Sequence, residues 1–138
     1  MNPLEGTRVL LVDDDPAQTE VVSEILSLEG MQVTCASEPE EVARGLAMGP
    51  DIVLLDLHGV DAPAVSEELH GLSMRPALLV LSGDLKLADH ARALRADGYL
   101  AKPYDLEELL KAVTEVIAQR RGKTPHPDPL GAPGMGPG

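Results

Sequence analysis

The chain has 138 residues, of which 43% are hydrophobic, and a formal net charge of −12. This length is typical of one domain with a single core, and the charge argues against direct nucleic-acid binding, which needs clustered Lys and Arg. No apolar run reaches the roughly 18 residues that span a bilayer, and the first residues lack a secretory signal, so we expect no membrane contact and a cytoplasmic location. The single cysteine, Cys35, excludes an intrachain disulfide.

Five short apolar segments predict β-strands. They are RVLLV at 8–12, QVTCA at 32–36, IVLL at 52–55, ALLVL at 77–81 and GYLA at 98–101. The third and fourth are apolar throughout, and so is the first after Arg8, which is typical of strands covered on both faces of a parallel sheet.

Helical patterns lie between these segments. Val21, Ile25 and Leu28, with Val22 and Leu26 beside them, predict an apolar stripe on the first helix. Two later stripes have the same helical spacing and consist of Val65, Leu69 and Leu72, and of Leu106, Leu109, Leu110, Val113 and Ile117.

The alternation of strands and helices predicts the architecture. Right-handed crossovers place helices on both faces of the sheet, so we expect an α/β fold with a doubly wound, five-stranded parallel sheet. We assign this domain to residues 1–121. Residues 122–138 are rich in Pro and Gly without apolar periodicity, and they are predicted to be a disordered tail or linker.

Polar side chains follow four of the five strands. In such folds ligands bind beyond the carboxyl ends of the strands, where Asp13 and Asp14, Asp56, Ser82 and Lys102 stand. Adjacent carboxylates repel each other unless a cation compensates them, and Mg²⁺ is the expected ion because it binds a few carboxylates together with several waters. The next carboxylate in the chain, that of residue 15, is predicted only to cap the first helix.

The four motifs at these positions resemble the CheY-like receiver domain of bacterial two-component response regulators. They are VLLVDDDP, IVLLDL, LVLSGD and GYLAKPY, and the resemblance spans residues 7 to about 120. It implies a flavodoxin-like strand order, 2-1-3-4-5, and phosphorylation of Asp56 by a sensor histidine kinase or a phosphotransfer protein. Enzymatic activity would then be limited to Mg²⁺-dependent self-phosphorylation and slow self-dephosphorylation.

The resemblance also implies roles for individual residues. Mg²⁺ would be held by Asp13, Asp14 and Asp56 with the backbone carbonyl of His58, and Ser82 and Lys102 would contact the phosphoryl group. Ser82 and Tyr99 would form a switch that changes the surface of the fourth helix, fifth strand and fifth helix. That surface would bind a downstream protein target, or a second copy of the chain in a homodimer. A half-buried, purely structural Tyr99 is the alternative.

Two segments depart from the family pattern. The family has a Met-Pro pair shortly after the phosphoacceptor, where this chain has LHGVD at 57–61, and LRADGY at 94–99 is contracted. Two alternatives therefore remain open. One is a pseudo-receiver that binds partners without phosphorylation. The other, which we disfavour, is a haloacid-dehalogenase-type phosphatase with DLHGV as its nucleophile loop, although His58 stands where that family has its second aspartate.

Overall fold

The computed structural model of the protein describes residues 3–122, with side chains as far as residue 120. Five strands alternate with five helices along the chain. The strands are β1 (Arg8–Val12), β2 (Gln32–Ala36), β3 (Ile52–Asp56), β4 (Ala77–Ser82) and β5 (Gly98–Ala101). The helices are α1 (Pro16–Leu28), α2 (Pro39–Ala47), α3 (Ala62–His70), α4 (Leu87–Ala93) and α5 (Leu106–Gly122).

The strands form one parallel sheet in the order β2-β1-β3-β4-β5. This confirms the doubly wound α/β fold and its flavodoxin-like strand order. The register pairs Asp56 with Leu81 and Ser82 with Ala101, so the carboxyl ends of the three strands β3, β4 and β5 lie at the same edge. The predicted site residues therefore gather at this edge.

Two aliphatic layers cover the sheet. On one face α1 and α5 pack through a cluster that includes Leu26, Leu109 and Val113. On the other face α2, α3 and α4 pack through a cluster that includes Leu46 and Leu69, and the members of both clusters are almost fully buried. Burying one such side chain contributes about 1.5–3 kcal/mol, so the layers hold the strand ends in place without any Phe or Trp.

The predicted stripe on α1 is only partly correct. Val22 and Leu26 are buried against the sheet, whereas Val21 and Leu28 are 56% and 80% exposed. Consecutive helical residues are separated by about 100° around the axis, so Val21 cannot share the face of Val22 that meets the sheet. The sequence could not show which of the adjacent residues Val21 and Val22 faces the sheet, because both are apolar.

Two further predictions concern the tail and the absence of a membrane-spanning segment. The predicted tail, residues 122–138, lies outside the described residues except for Gly122, where α5 ends. Within residues 3–122, no helix combines the length and the apolar character needed to cross a bilayer.

Candidate active site

Asp56 is the last residue of the central strand β3, and it is only 2% exposed. Its Oδ1 accepts a hydrogen bond from the His58 N–H at 2.9 Å. Its Oδ2 forms an ion pair with the Lys102 ammonium. Both oxygens of the buried carboxylate thus have a partner, and the group is held in one orientation at the sheet edge.

Lys102 directly follows β5, and its bond to Pro103 is cis. Burial alone would lower the pKa of Lys102, but the hydrogen bond and charge of Asp56 outweigh it and raise the pKa, with a further contribution from Asp13. The side chain is therefore a fixed positive charge at neutral pH. It is the cation that reaches Asp56 from the end of β5, across the intervening strand β4.

Asp13 is a second buried carboxylate at this edge. Its Oδ1 accepts the N–H of Asp15 at 2.9 Å, while Asp15 itself caps α1 by accepting from Ala17 N at 3.0 Å, as predicted. Burial raises the pKa of Asp13 and the charge of Asp56 raises it further, which outweighs the opposite effects of the Asp15 amide and Lys102. The site therefore has an excess of buried negative charge.

A hard cation would offset this excess, and the residues present fit Mg²⁺. Carboxylate and carbonyl oxygens are its preferred ligands. Within the described part of the chain, no three His, Cys, Asp or Glu side chains lie together as a ready metal cluster. Mg²⁺ usually keeps several waters and is bound by one or two carboxylates, and Asp13 and Asp56 are the two carboxylates of the predicted site that share one cleft.

Asp14, the residue after Asp13, is exposed. Its carboxylate packs directly against the backbone of Gly59 in the loop that joins β3 and α3. Gly59 is the residue after His58, whose backbone carbonyl is a predicted metal contact. Asp14 and this carbonyl are therefore brought to the same neighbourhood, although Asp14 forms no compact cluster with the other carboxylates.

Ser82 ends β4 and is buried. Its Oγ accepts the N–H of Asp84 at 3.0 Å. The Asp84 carboxylate in turn accepts the Lys86 N–H at 2.8 Å and faces His90 Nε2 at 3.3 Å. The hydrogen bond from the Lys86 amide, followed by that from His90, lowers the pKa of Asp84. The loop after Ser82 is thus held by its own polar groups.

The site residues line one cleft of about 710 Å³ at the carboxyl edge of the sheet. It contains Asp13, Asp56, Ser82 and Lys102, and its other wall is built by the loop after β3 and by α4. His58 lines the same cleft. Asp14 borders an adjacent groove that shares Asp13. Five of the predicted residues, with His58 among them, therefore line one cavity.

Tyr99 stands apart from this cleft. It lies on β5 and is 53% exposed, so its side chain faces outward. The predicted coupling between Tyr99 and Ser82 stays a prediction.

Several residues contribute to the site in ways that the sequence patterns did not predict. The Asp84 amide and the His90 ring support Ser82 and its loop, and the His58 amide orients Asp56. Asp84, two positions after Ser82, is a signal for a local turn, but its partner on α4 depends on how the loop packs.

Comparison with known proteins identifies the family. The profile of the response regulator receiver domain matches residues 9–114. The transcriptional regulatory protein TrcR of Mycobacterium tuberculosis is 36% identical over 108 residues, which is 75% of this chain and 42% of TrcR. The sensory transduction protein RegX3 of Mycolicibacterium smegmatis is 33% identical over 121 residues, 84% of this chain and 52% of RegX3. The chain thus spans about half the length of the curated relatives it matches.

Solved structures agree. The signal receiver domain of a response regulator from Bermanella marisrubri superposes with a TM-score of 0.75 and 30% identity, covering 82% of this chain and 99% of that one. The sheet order, the cleft at the carboxyl edge and the family profile point to the same assignment. The chain belongs to the response regulator receiver domain family of two-component systems.

Proposed function

We propose that this receiver domain accepts a phosphoryl group on Asp56 and signals through protein contacts that depend on it. The observation that carries the proposal is the buried ion pair of Asp56 and Lys102, which shares its cleft with Asp13 and Ser82. A buried carboxylate with a fixed cation beside it is suited to act as a nucleophile toward a phosphoryl group. The family assignment argues against the phosphatase alternative.

The donor would be a phosphohistidine of a sensor histidine kinase or of a phosphotransfer protein. An oxygen of Asp56 attacks the phosphorus, a P–O bond forms, and the P–N bond breaks with its electron pair passing to the donor imidazole. Phosphoryl transfer of this kind depends on positioning and on charge neutralisation more than on covalent help. The His58 amide positions the nucleophile. The Lys102 ammonium group, which is paired with Oδ2 before the reaction, then pairs with a phosphoryl oxygen.

Asp13, Asp14 and Asp56, together with the His58 carbonyl, would hold Mg²⁺. When bound, the ion neutralises phosphoryl oxygens and offsets the repulsion between carboxylates. Burial raises the pKa of Asp13, and the charge of Asp56 raises it further. A cation bound beside the two carboxylates would favour the ionised form of Asp13, which supports this part of the proposal. The same groups would support self-phosphorylation from small donors and slow self-dephosphorylation.

The output would begin at Ser82. A phosphoryl group on Asp56 offers Ser82 Oγ a new partner and competes with the hydrogen bond from Asp84. Rearrangement of this loop would alter α4 and β5, and with them the environment of exposed Tyr99. A shift of a few kcal/mol between two conformers is enough to change binding of a downstream protein or of a second copy of the chain.

The cytoplasmic location stays a prediction.

Intact-mass spectrometry with acetyl phosphate tests the proposal directly. The native chain should gain one phosphoryl group in the presence of Mg²⁺ and none without it, and the adduct should be removed by hydroxylamine. Asp56→Asn should gain none. Asp89→Asn, which changes an exposed carboxylate on α4, is the matched control and should be labelled like the native chain. An unlabelled native chain, beside a labelled control receiver, would favour the binding-only pseudo-receiver instead.

A further inference from the structure

Gly59 occupies an unusual position in the loop between β3 and α3. A Cβ built on this residue would fall within 3.0 Å of Cγ, Oδ1 and Oδ2 of Asp14, separations that real Cβ atoms essentially never show. The atoms that it meets are the whole carboxyl group of a predicted metal ligand. No side chain other than hydrogen fits at position 59 while Asp14 stays in place.

The backbone gives a second, independent reason for glycine. Gly59 has φ +80, in the left-handed region that other residues rarely adopt. Gly59 lies in the turn directly after His58. The loop lacks the family's Met-Pro pair, and at Gly59 it lies against the side chain of Asp14.

We propose that Gly59 is a positioning residue of the cation site. Its missing side chain lets the Asp14 carboxylate lie against the loop, next to the His58 carbonyl, so that a side-chain ligand and a backbone ligand from two loops face one ion. The inference rests on the proposed function, because it takes Asp14 and the His58 carbonyl to be ligands of Mg²⁺.

A methyl group at position 59 has to displace one of two groups. Either the Asp14 carboxylate swings away, or the loop lifts and carries the His58 carbonyl with it. Both movements separate the two ligands, and neither removes a side chain that touches the phosphoryl group. The loss should therefore appear in the affinity for the cation.

The chain offers a matched control at Gly49, which follows α2 at the opposite edge of the sheet. Gly49 has φ +73, but nothing lies within 4 Å of a Cβ built on it. Gly49→Ala therefore imposes the same kind of backbone strain without a contact at the site. A difference between Gly59→Ala and Gly49→Ala isolates the contact with Asp14 from the strain.

The experiment is an NMR titration of the full chain with Mg²⁺, which reports the dissociation constant and the folded state in the same amide spectra. Gly59→Ala should weaken Mg²⁺ binding by about 10-fold to 100-fold, the usual cost of disturbing groups that orient metal ligands. Gly49→Ala should bind like the native chain. Equal affinities for Gly59→Ala and Gly49→Ala would overturn the inference while leaving the proposed function intact.

Two further variants show whether Gly59 acts through Asp14. In an Asp14→Asn background, adding Gly59→Ala should cause little additional loss of affinity, because the group that it displaces is no longer a charged ligand. Fully additive losses would overturn the action of Gly59 through the Asp14 carboxylate. A native chain without Mg²⁺-dependent shifts would overturn this inference together with the metal part of the proposed function.

Discussion

The ammonium group of Lys102 forms an ion pair with Oδ2 of Asp56, although 46 residues separate them in the chain. The two meet because β3 and β5 flank β4 in the parallel sheet and end at the same edge. The pair lies in a largely buried position, with the Asp56 side chain 3% exposed. Removing either charge would leave the other buried without a partner, which lowers the stability of the folded protein.

Lys102→Met should therefore destabilise the protein. The substitution keeps the length of the stem and leaves the Asp56 carboxylate without its cation, at a cost of about 1–3 kcal/mol in the free energy of unfolding. Urea unfolding of the native chain and of Lys102→Met at pH 7 measures this difference in the free energy of unfolding. Lys111→Met, on the exposed side of α5, is the control.

The same substitution in an Asp56→Asn background separates the charge effect from packing. The cost of removing Lys102 should shrink there, because no carboxylate is left unpaired. An unchanged cost would mean that the Lys102 stem, rather than its charge, stabilises the fold.

Mg²⁺ should stabilise the native chain. Binding to the folded state alone raises the free energy of unfolding by about 2.7 kcal/mol at 100 times the dissociation constant. Thermal unfolding followed by circular dichroism, with and without Mg²⁺, should show a higher midpoint with the ion. The shift should be lost in Asp13→Asn and kept in Asp89→Asn, whereas equal shifts in both variants would place the ion elsewhere.

Much of the architecture could be predicted from the sequence. The continuous apolar runs of β1, β3 and β4 mark strands buried on both faces, and parallel topology alone brings their carboxyl ends together. That is why Asp13, Asp56, Ser82 and Lys102 could be placed at one site. The family motifs added the strand order, which periodicity alone does not determine.

The remaining features depend on how loops meet in three dimensions. The contact of Asp14 with Gly59 joins two loops that are distant in the chain, and the pairing of Asp84 with His90 depends on where α4 begins. Local patterns do not contain such information. The roles of the site residues in phosphorylation, and of Tyr99 as a switch, stay predictions.

Ser82 should respond to phosphorylation through the Asp84 amide. In the native chain, adding beryllofluoride with Mg²⁺ as a phosphoryl mimic should shift the amide resonance of Asp84, because Ser82 Oγ then turns toward the mimic. Ser82→Thr keeps the hydroxyl and should keep this response. Ser82→Ala should lose it, and should also lower the free energy of unfolding by about 1 kcal/mol because the Asp84 N–H loses its acceptor.

The control for this prediction is the amide of Leu57, in the loop after Asp56, which should respond to the mimic in all three proteins. An Asp84 response in Ser82→Ala equal to that of the native chain would show that the loop senses the phosphoryl group without the hydroxyl.

Arg75 and Asp97 form a bidentate ion pair at the opposite edge of the sheet, with both N–O distances 2.9 Å. Burial alone would raise the pKa of Asp97, but the hydrogen bonds from Arg75 and from the Leu78 amide outweigh it and hold the pKa below its ordinary value. A carboxylate with a lowered pKa in the folded state stabilises the protein at every pH above its unfolded pKa of about 3.9.

That contribution should vanish as the pH falls through the lowered pKa of Asp97. Asp97→Asn cannot gain or lose this charge, so the native chain should exceed it in the free energy of unfolding by about 1–3 kcal/mol at pH 7. The difference should narrow steadily below pH of about 4. Urea titrations of both proteins between neutral and acidic pH measure it. A difference that stays constant into strong acid would mean that the Asp97 charge contributes nothing to stability, and that shape and neutral hydrogen bonds hold the Arg75 side chain.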